Sequence, residues 1–322
     1  MRLEEVLRRQ VERRPRDVSV WLQHAGQEDE PLTYADLWAG AGLYADRFRR
    51  EGLHAGEVAI LIQQHGRELV LAFWGAIVAG VIPSIMPFLT EKLSPDQYRD
   101  DLAALLGVTR PAAVVTYPDF EPQVRRSISA DTSVRAVISA ESSGKLNEHP
   151  EVEAAVAASD EDIVLLQHSS GTTGLQKGVA LSHRAVMNQL GAYGDSLQLT
   201  DQDVIISWLP LYHDMGLIAG FLLPILCGIP LVLSSPFDWV RAPWRMLQSV
   251  SRYRGTLSWL PNFAYNFMTQ KIRDRQVDGV DLSSWRAVIN CSEPVRWESH
   301  RAFHDRFRTY GLRLESMQTC YA

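Results

Sequence analysis

Ten positions in the middle of the chain, Ser169 to Gly178, hold two serines, two threonines, three glycines and one lysine. Glycine lets a backbone turn freely and approach a ligand closely, and successive exposed N–H groups form a concave nest that favours anions. The hydroxyls of Ser169, Ser170, Thr172 and Thr173 add donors, Gly171 and Gly174 leave the backbone open, and Lys177 adds positive charge. This is the chemistry of a phosphate cradle. It is not a Walker A loop, which needs G-x-x-x-x-G-K-[ST]: counted from Gly171, the second glycine position holds Gln176 and the position after the lysine holds Gly178. Composition by itself also fits a flexible surface loop. Placement favours the cradle, because a buried-looking strand, Ile163–Gln167, leads into it and a helix-like segment, Ser182–Leu197, follows.

Two further stretches carry reactive types. In SWLPLYHDMG, Ser207–Gly216, His213 and Asp214 stand just past a strand end, where open α/β sheets place their ligands. A His–Asp pair that satisfies a turn fits these residues equally. Zinc needs more ligands nearby than the stretch offers, and a Ser–His–Asp triad lacks its G-x-S-x-G elbow. In VINCSEPVRWES, Val288–Ser299, strand residues run into Ser292, Glu293 and Pro294 ahead of a helix. Alone this reads as a helix entrance, with Glu293 favoured by the N-terminal dipole. Trp208, Trp259, Phe263, Tyr265 and Phe267 default to core.

Alternating strands and helices must position these groups. Leu3, Val6, Leu7 and Val11 share a helical face that Pro15 ends, Val18–Leu22 alternates like a strand, and Thr33 caps a helix through Arg50. Strands are expected at Val58–Ile62, Val81–Met86, Ala112–Thr116 and Val134–Ser139. Beyond the loop they are expected at Val204–Trp208, Leu231–Leu233, Thr256–Leu260 and Ala287–Asn290. Helices fall between, at Glu68–Ala79, Asp96–Leu106, Pro243–Tyr253, Asn262–Arg273 and Ser299–Phe307. Short apolar strands separated by helices indicate two α/β lobes with largely parallel sheets. The polar, alanine-rich Ala140–Ser159 reads as a connection.

The 322 residues, 46% apolar and 22% charged, fit a globular chain with a large core. A net charge of −6 without long basic runs argues against nucleic-acid binding. Cys227, Cys291 and Cys320 form no CxxC and read as buried thiols in a reducing compartment. The N-terminus is charged and lacks a signal-peptide core, so a cytoplasmic location is expected. Met215–Leu233 carries no charge over the length of a membrane span. Pro224 and Pro230 interrupt it, so a buried helix followed by a buried strand is the better reading.

HSSGTTGLQKG, LPLYHDMG and NCSEPV, in this order and with LTYADL near the N-terminus, resemble the adenylate-forming acyl-ligase superfamily. SWLPNFAYNFM is similar to its long-chain branch, the fatty acyl-AMP ligases and their relatives among acyl-CoA synthetases. TCYA resembles the start of Y-G-x-[TA]-E, and Gln176 stands where a proline is usual. The resemblance implies a two-step reaction. A carboxylate attacks the α-phosphorus of ATP to give acyl-AMP and pyrophosphate, and a thiol of CoA or carrier-protein phosphopantetheine then takes the acyl group. It assigns catalytic roles to Lys177 and His213, and the phosphates to Ser169–Gly174 and Lys177. Mg²⁺ goes to Thr173, and adenosine to Ser292, Glu293, Pro294 and Tyr321. The acyl side falls to Trp208, His213, Asp214, Met215, Gly216, Leu260 and Phe263. A fatty or other apolar acid and an acyl carrier protein are the implied partners.

By the same resemblance the chain is expected to be an incomplete N-terminal adenylation domain. Lobe one would span 51–200 and lobe two would combine 1–50 with 201–322. The barrel and mobile lid would come later, so the chain alone is expected to be a poor enzyme. Two alternatives stay open: amino-acid activation, with Asp214 gripping an amino group, and a nucleotide-binding protein without chemistry.

Overall fold

The computed structural model describes residues 1–88, 94–129, 131–139, 159–169 and 177–320. The chain divides into two compact units, one of Met1–Asp17 with Thr33–Gln189, the other of Val18–Leu32 with Leu190–Ala322. The N-terminal fifty residues are therefore shared, where the sequence placed them all with 201–322. Helix Tyr34–Arg50 belongs to the first unit because it packs against helix Arg67–Val78. A Cβ on Gly75 would lie 2.3 Å from the Tyr44 Cβ and 2.8 Å from the Ala41 carbonyl, so only glycine lets these helices cross this closely. Strand Val18–Gln23 joins the second unit by pairing with Leu231–Ser234.

In the first unit, four strands line up as Ile82–Ile85, Val58–Ile62, Ala113–Thr116 and Ala136–Ser139, every pairing parallel. Their side chains are almost all buried, as expected for a sheet covered on both faces. Ile60, Ile62 and Val114 meet Leu102 and Leu106 of helix Pro95–Thr109 and Phe120 and Val124 beyond it. Thr33 caps Tyr34–Arg50 in a reciprocal box with Asp36, its hydroxyl accepting from the Asp36 N–H at 3.1 Å. The unit also holds an antiparallel hairpin, Ile163–Ser169 with Lys177–Ser182.

That hairpin corrects the sequence reading. The glycine-rich loop joins two strands, and helix His183–Leu197 begins only after the second. Strand Lys177–Ser182 escaped detection because Gly178, Val179 and Ala180 are exposed, so no apolar alternation marks it. The expected connection Ala140–Ser159 lies, except for Ser159, outside the described residues.

In the second unit, seven strands run in the order Met317–Thr319, Ala287–Cys291, Leu257–Pro261, Ile205–Ser207, Leu231–Ser234, Val18–Gln23 and Glu30–Thr33. The pairings from Met317–Thr319 to Val18–Gln23 are all parallel. Met215–Leu233 is a buried helix and a buried strand, as expected, but the helix opens as a π-helix, Met215–Leu222. Pro224 does not break it. The π-helix runs straight on into the α-helix Leu223–Cys227, and the helical backbone passes through Pro224 without a break. Gly228, at φ 78°, closes that helix in the left-handed region. Cys227 is exposed at this end, against the expectation of three buried thiols. Among the described residues no helix is long and apolar enough to cross a membrane.

Candidate active site

In the first unit the hairpin fixes the two ends of the expected phosphate loop. Ser169 pairs with Lys177 and His168 with Gly178. Ser170, Gly171, Thr172, Thr173 and Gly174 lie outside the described residues, as does Tyr321. The launching strand is pinned from below: buried His168 meets the fully buried Ser84 hydroxyl through Nδ1 at 2.9 Å. Burial lowers the His168 pKa, so the ring stays neutral at pH 7.

In the second unit, strand Ile205–Ser207 ends at Trp208, which is buried and stacks on Trp239 with ring centroids 3.7 Å apart. The chain then turns. His213 and Asp214 are exposed, and Met215 and Gly216 are buried behind them. The His213 N–H donates to the Pro210 carbonyl at 3.1 Å, and its ring leans on Tyr212 at 5.2 Å. Asp214 caps the π-helix, Oδ1 accepting from the Met215 N–H at 2.7 Å. A Cβ at Gly216 would stand 2.3 Å from the Pro210 carbonyl oxygen, and one at Gly220 2.7 Å from the Ser207 hydroxyl. These glycines seat the π-helix flush on the strand end and so set where His213 emerges.

Leu260 is buried in its strand. Phe263 is not core: it is 48% exposed, and its ring stands edge-on to Trp208 and Trp239 at 6.3 and 6.1 Å. Ser292, Glu293 and Pro294 are exposed beyond strand Ala287–Cys291, with Ser292 in the left-handed region at φ 70°. Glu293 does sit at a helix N-terminus, but of another helix than expected. Its Oε1 accepts from the Phe263 N–H at 2.5 Å, in the first turn of Asn262–Lys271, while the helix after it starts only at Trp297. The acidic group therefore ties two expected site segments together.

A buried polar network that sequence reading missed holds the same loop. Asn262 Oδ1 accepts from the Arg296 N–H at 3.0 Å and from Asn290 Nδ2 at 3.1 Å, and its Nδ2 donates to Ser299 at 3.1 Å. Asn290 Nδ2 also meets His300 Nε2 at 2.8 Å. Only the polar residues inside otherwise apolar strand and helix stretches hinted at it. Tyr193 was missed too. Its hydroxyl reaches the Met215 sulfur at 3.7 Å and its ring stands edge-on to Trp259 at 6.2 Å. Burial first, then the nearby Cys320, Cys291 and Asp214, push its pKa up to about 12.

The model of the family described as "AMP-binding enzyme" matches residues 7–321. A medium-chain-fatty-acid–[acyl-carrier-protein] ligase, JamA of Moorena producens, is 29% identical over 94% of this chain and 51% of its own length. A long-chain-fatty-acid–AMP ligase, FadD26 of Mycobacterium bovis, is 30% identical over 91% of this chain and 50% of its own. The crystal structure of a fatty acyl-adenylate ligase from L. pneumophila, in complex with acyl adenylate and pyrophosphate, superposes with a TM-score of 0.87. It is 30% identical and covers 100% of this chain and 55% of that one. The chain thus spans about half the length of the curated relatives it matches.

Proposed function

The chain belongs to the AMP-binding enzyme family, and on that footing we propose that it serves the ATP-dependent activation of a medium or long apolar carboxylic acid to acyl-AMP. The acid is already ionised at pH 7, so its attack on the α-phosphorus needs alignment and charge neutralisation rather than a strong base. Ser169–Gly174 and Lys177 would hold the phosphates. His213 would lie beside the carboxylate. Trp208, Asp214, Met215, Gly216, Leu260 and Phe263 would border the acyl side, and Ser292, Glu293, Pro294 and Tyr321 the adenosine. Mg²⁺, with Thr173 as its expected ligand, would neutralise phosphate charge when bound. The acyl group would pass to a thiol of CoA or of a carrier protein's phosphopantetheine. The JamA name, an acyl-carrier-protein ligase, supports the second.

The observation that carries this reading is the apolar setting of His213. Exposed His213 leads into a buried apolar stretch, Met215, Gly216 and Leu217, whose Met215 sulfur meets the Tyr193 hydroxyl, and the Tyr193 ring stands edge-on to Trp259. Asp214, which amino-acid activation would use to grip an ammonium, is exposed and spends an oxygen on the Met215 N–H. A hydroxamate-trapping series of fatty, aryl and amino acids tests the acid class. Each methylene buried adds about 0.8 kcal/mol, so rates at low substrate should rise severalfold per carbon until the site is full. A preference for amino acids would overturn the proposal. ATP–pyrophosphate exchange separates an enzyme from a protein that only binds nucleotide.

A further inference from the structure

None of the three cysteines takes part in the proposed chemistry, and two of them, Cys291 and Cys320, lie side by side. Strands Ala287–Cys291 and Met317–Thr319 pair in parallel, Val288 with Met317, Ile289 with Gln318 and Asn290 with Thr319. One step further the register sets Cys291 beside Cys320, and the Cys320 N–H still donates to the Asn290 carbonyl at 3.0 Å. Parallel neighbours point their side chains to the same face, about 4.8 Å apart, inside the window of about 4.4–6.8 Å between Cα atoms that a disulfide spans. The Cys291 thiol donates to the Leu260 carbonyl at 3.8 Å and accepts from the Ser292 hydroxyl at 3.5 Å. Cys291 is fully buried, and Cys320 is partly open to solvent.

We propose that Cys291 and Cys320 form a dithiol modification site, closed to a disulfide by exchange with a small external disulfide. The inference stands independently of the acid-activating function. Burial decides the order of events. The open Cys320 sulfur reacts first, since a thiolate must reach the oxidant. The neighbouring Cys291 draws the Cys320 thiol below its ordinary range, while Cys320 and burial push Cys291 up. Cys320 attacks one sulfur of the external disulfide, giving a mixed disulfide and one released thiolate. Cys291 passes its proton to that thiolate, attacks the Cys320 sulfur and displaces the second thiolate. Two protein thiols are oxidised, and one external disulfide is reduced to two thiols.

The test uses the folded chain carrying Cys227→Ser, which removes the exposed third thiol. With oxidised glutathione it should lose both remaining thiols, retain no glutathione, become lighter only by the hydrogens lost, and give linked Cys291 and Cys320 peptides. Dithiothreitol should restore both thiols. A persistent glutathione adduct on Cys320, or both thiols surviving conditions that oxidise a free dithiol, would overturn the proposal. In a second variant that also carries Cys320→Ala, Cys291 should remain unmodified while the chain stays folded. Equal modification of Cys291 there would also overturn it.

Discussion

At the scale of single residues, two kinds of constraint meet at the proposed site. His213 and Lys177 are proposed to contact reacting groups. Losing one charge-assisted contact costs about 1.5–3 kcal/mol, roughly ten- to a hundredfold in rate. His213→Ala and Lys177→Ala should therefore slow acyl-hydroxamate formation by that order with unchanged melting temperature, and parent-like rates in both would remove their assigned roles. Gly216 is constrained by space. A Cβ there would press on the Pro210 carbonyl at 2.3 Å, so the π-helix must shift away from the strand end. Gly216→Ala should cost about 1–3 kcal/mol of stability, read by denaturant unfolding. An unshifted midpoint would mean that the backbone relaxes freely.

Among elements, the loop after Ala287–Cys291 is held from outside itself. Glu293 reaches the Phe263 N–H and Asn262 reaches the Arg296 N–H, so helix Asn262–Lys271 anchors both ends of Ser292–Arg296. Asn262 is 5% exposed and carries three bonds. Asn262→Ala should cost about 1–3 kcal/mol, the penalty for leaving buried partners unsatisfied. It should also speed hydrogen exchange at the Arg296 amide more than in strand Ala287–Cys291. Uniform acceleration across the second unit would instead mark a general loss of stability. Neither anchor was legible in the sequence, because a contact between residues some thirty positions apart leaves no periodicity. The strands themselves were legible: Val58–Ile62 stands where its unbroken apolar run put it.

For the molecule as a whole, the buried ion pair of the second unit makes stability depend on pH. Asp203 is 2% exposed and accepts from Arg286 Nε and Nη2, at 2.7 and 2.9 Å, with further bonds from Thr256 and the Thr200 N–H. Burial alone would raise its pKa, but these donors outweigh it and hold the carboxyl below its usual range. The unfolded chain therefore takes up the proton first as pH falls. The stabilisation is complete above the ordinary carboxylate value of about 4 and is lost as pH drops through the lower folded value. Asp203→Asn should cost about 1.5–3 kcal/mol at pH 7, with the gap from the parent narrowing at acid pH. A gap that stays constant in melts from pH 7 to pH 3 would overturn this account.

The sequence by itself determined the α/β class, most strands and helices, and the family. Apolar runs, caps and the order of HSSGTTG, LPLYHDMG and NCSEPV are properties of neighbours along the chain. Thr33 announced its cap because its partner Asp36 is three residues away. Only the tertiary structure decided that the glycine-rich loop closes a hairpin, because strand pairing across it depends on backbone hydrogen bonds that any side chain permits. It also decided that Glu293 serves the helix begun by Asn262, and that Phe263 stays exposed beside Trp208. Cys291 and Cys320, distant in the chain, became neighbours because parallel pairing sets register by sheet geometry. Each of these outcomes follows from packing between segments, which local composition does not encode.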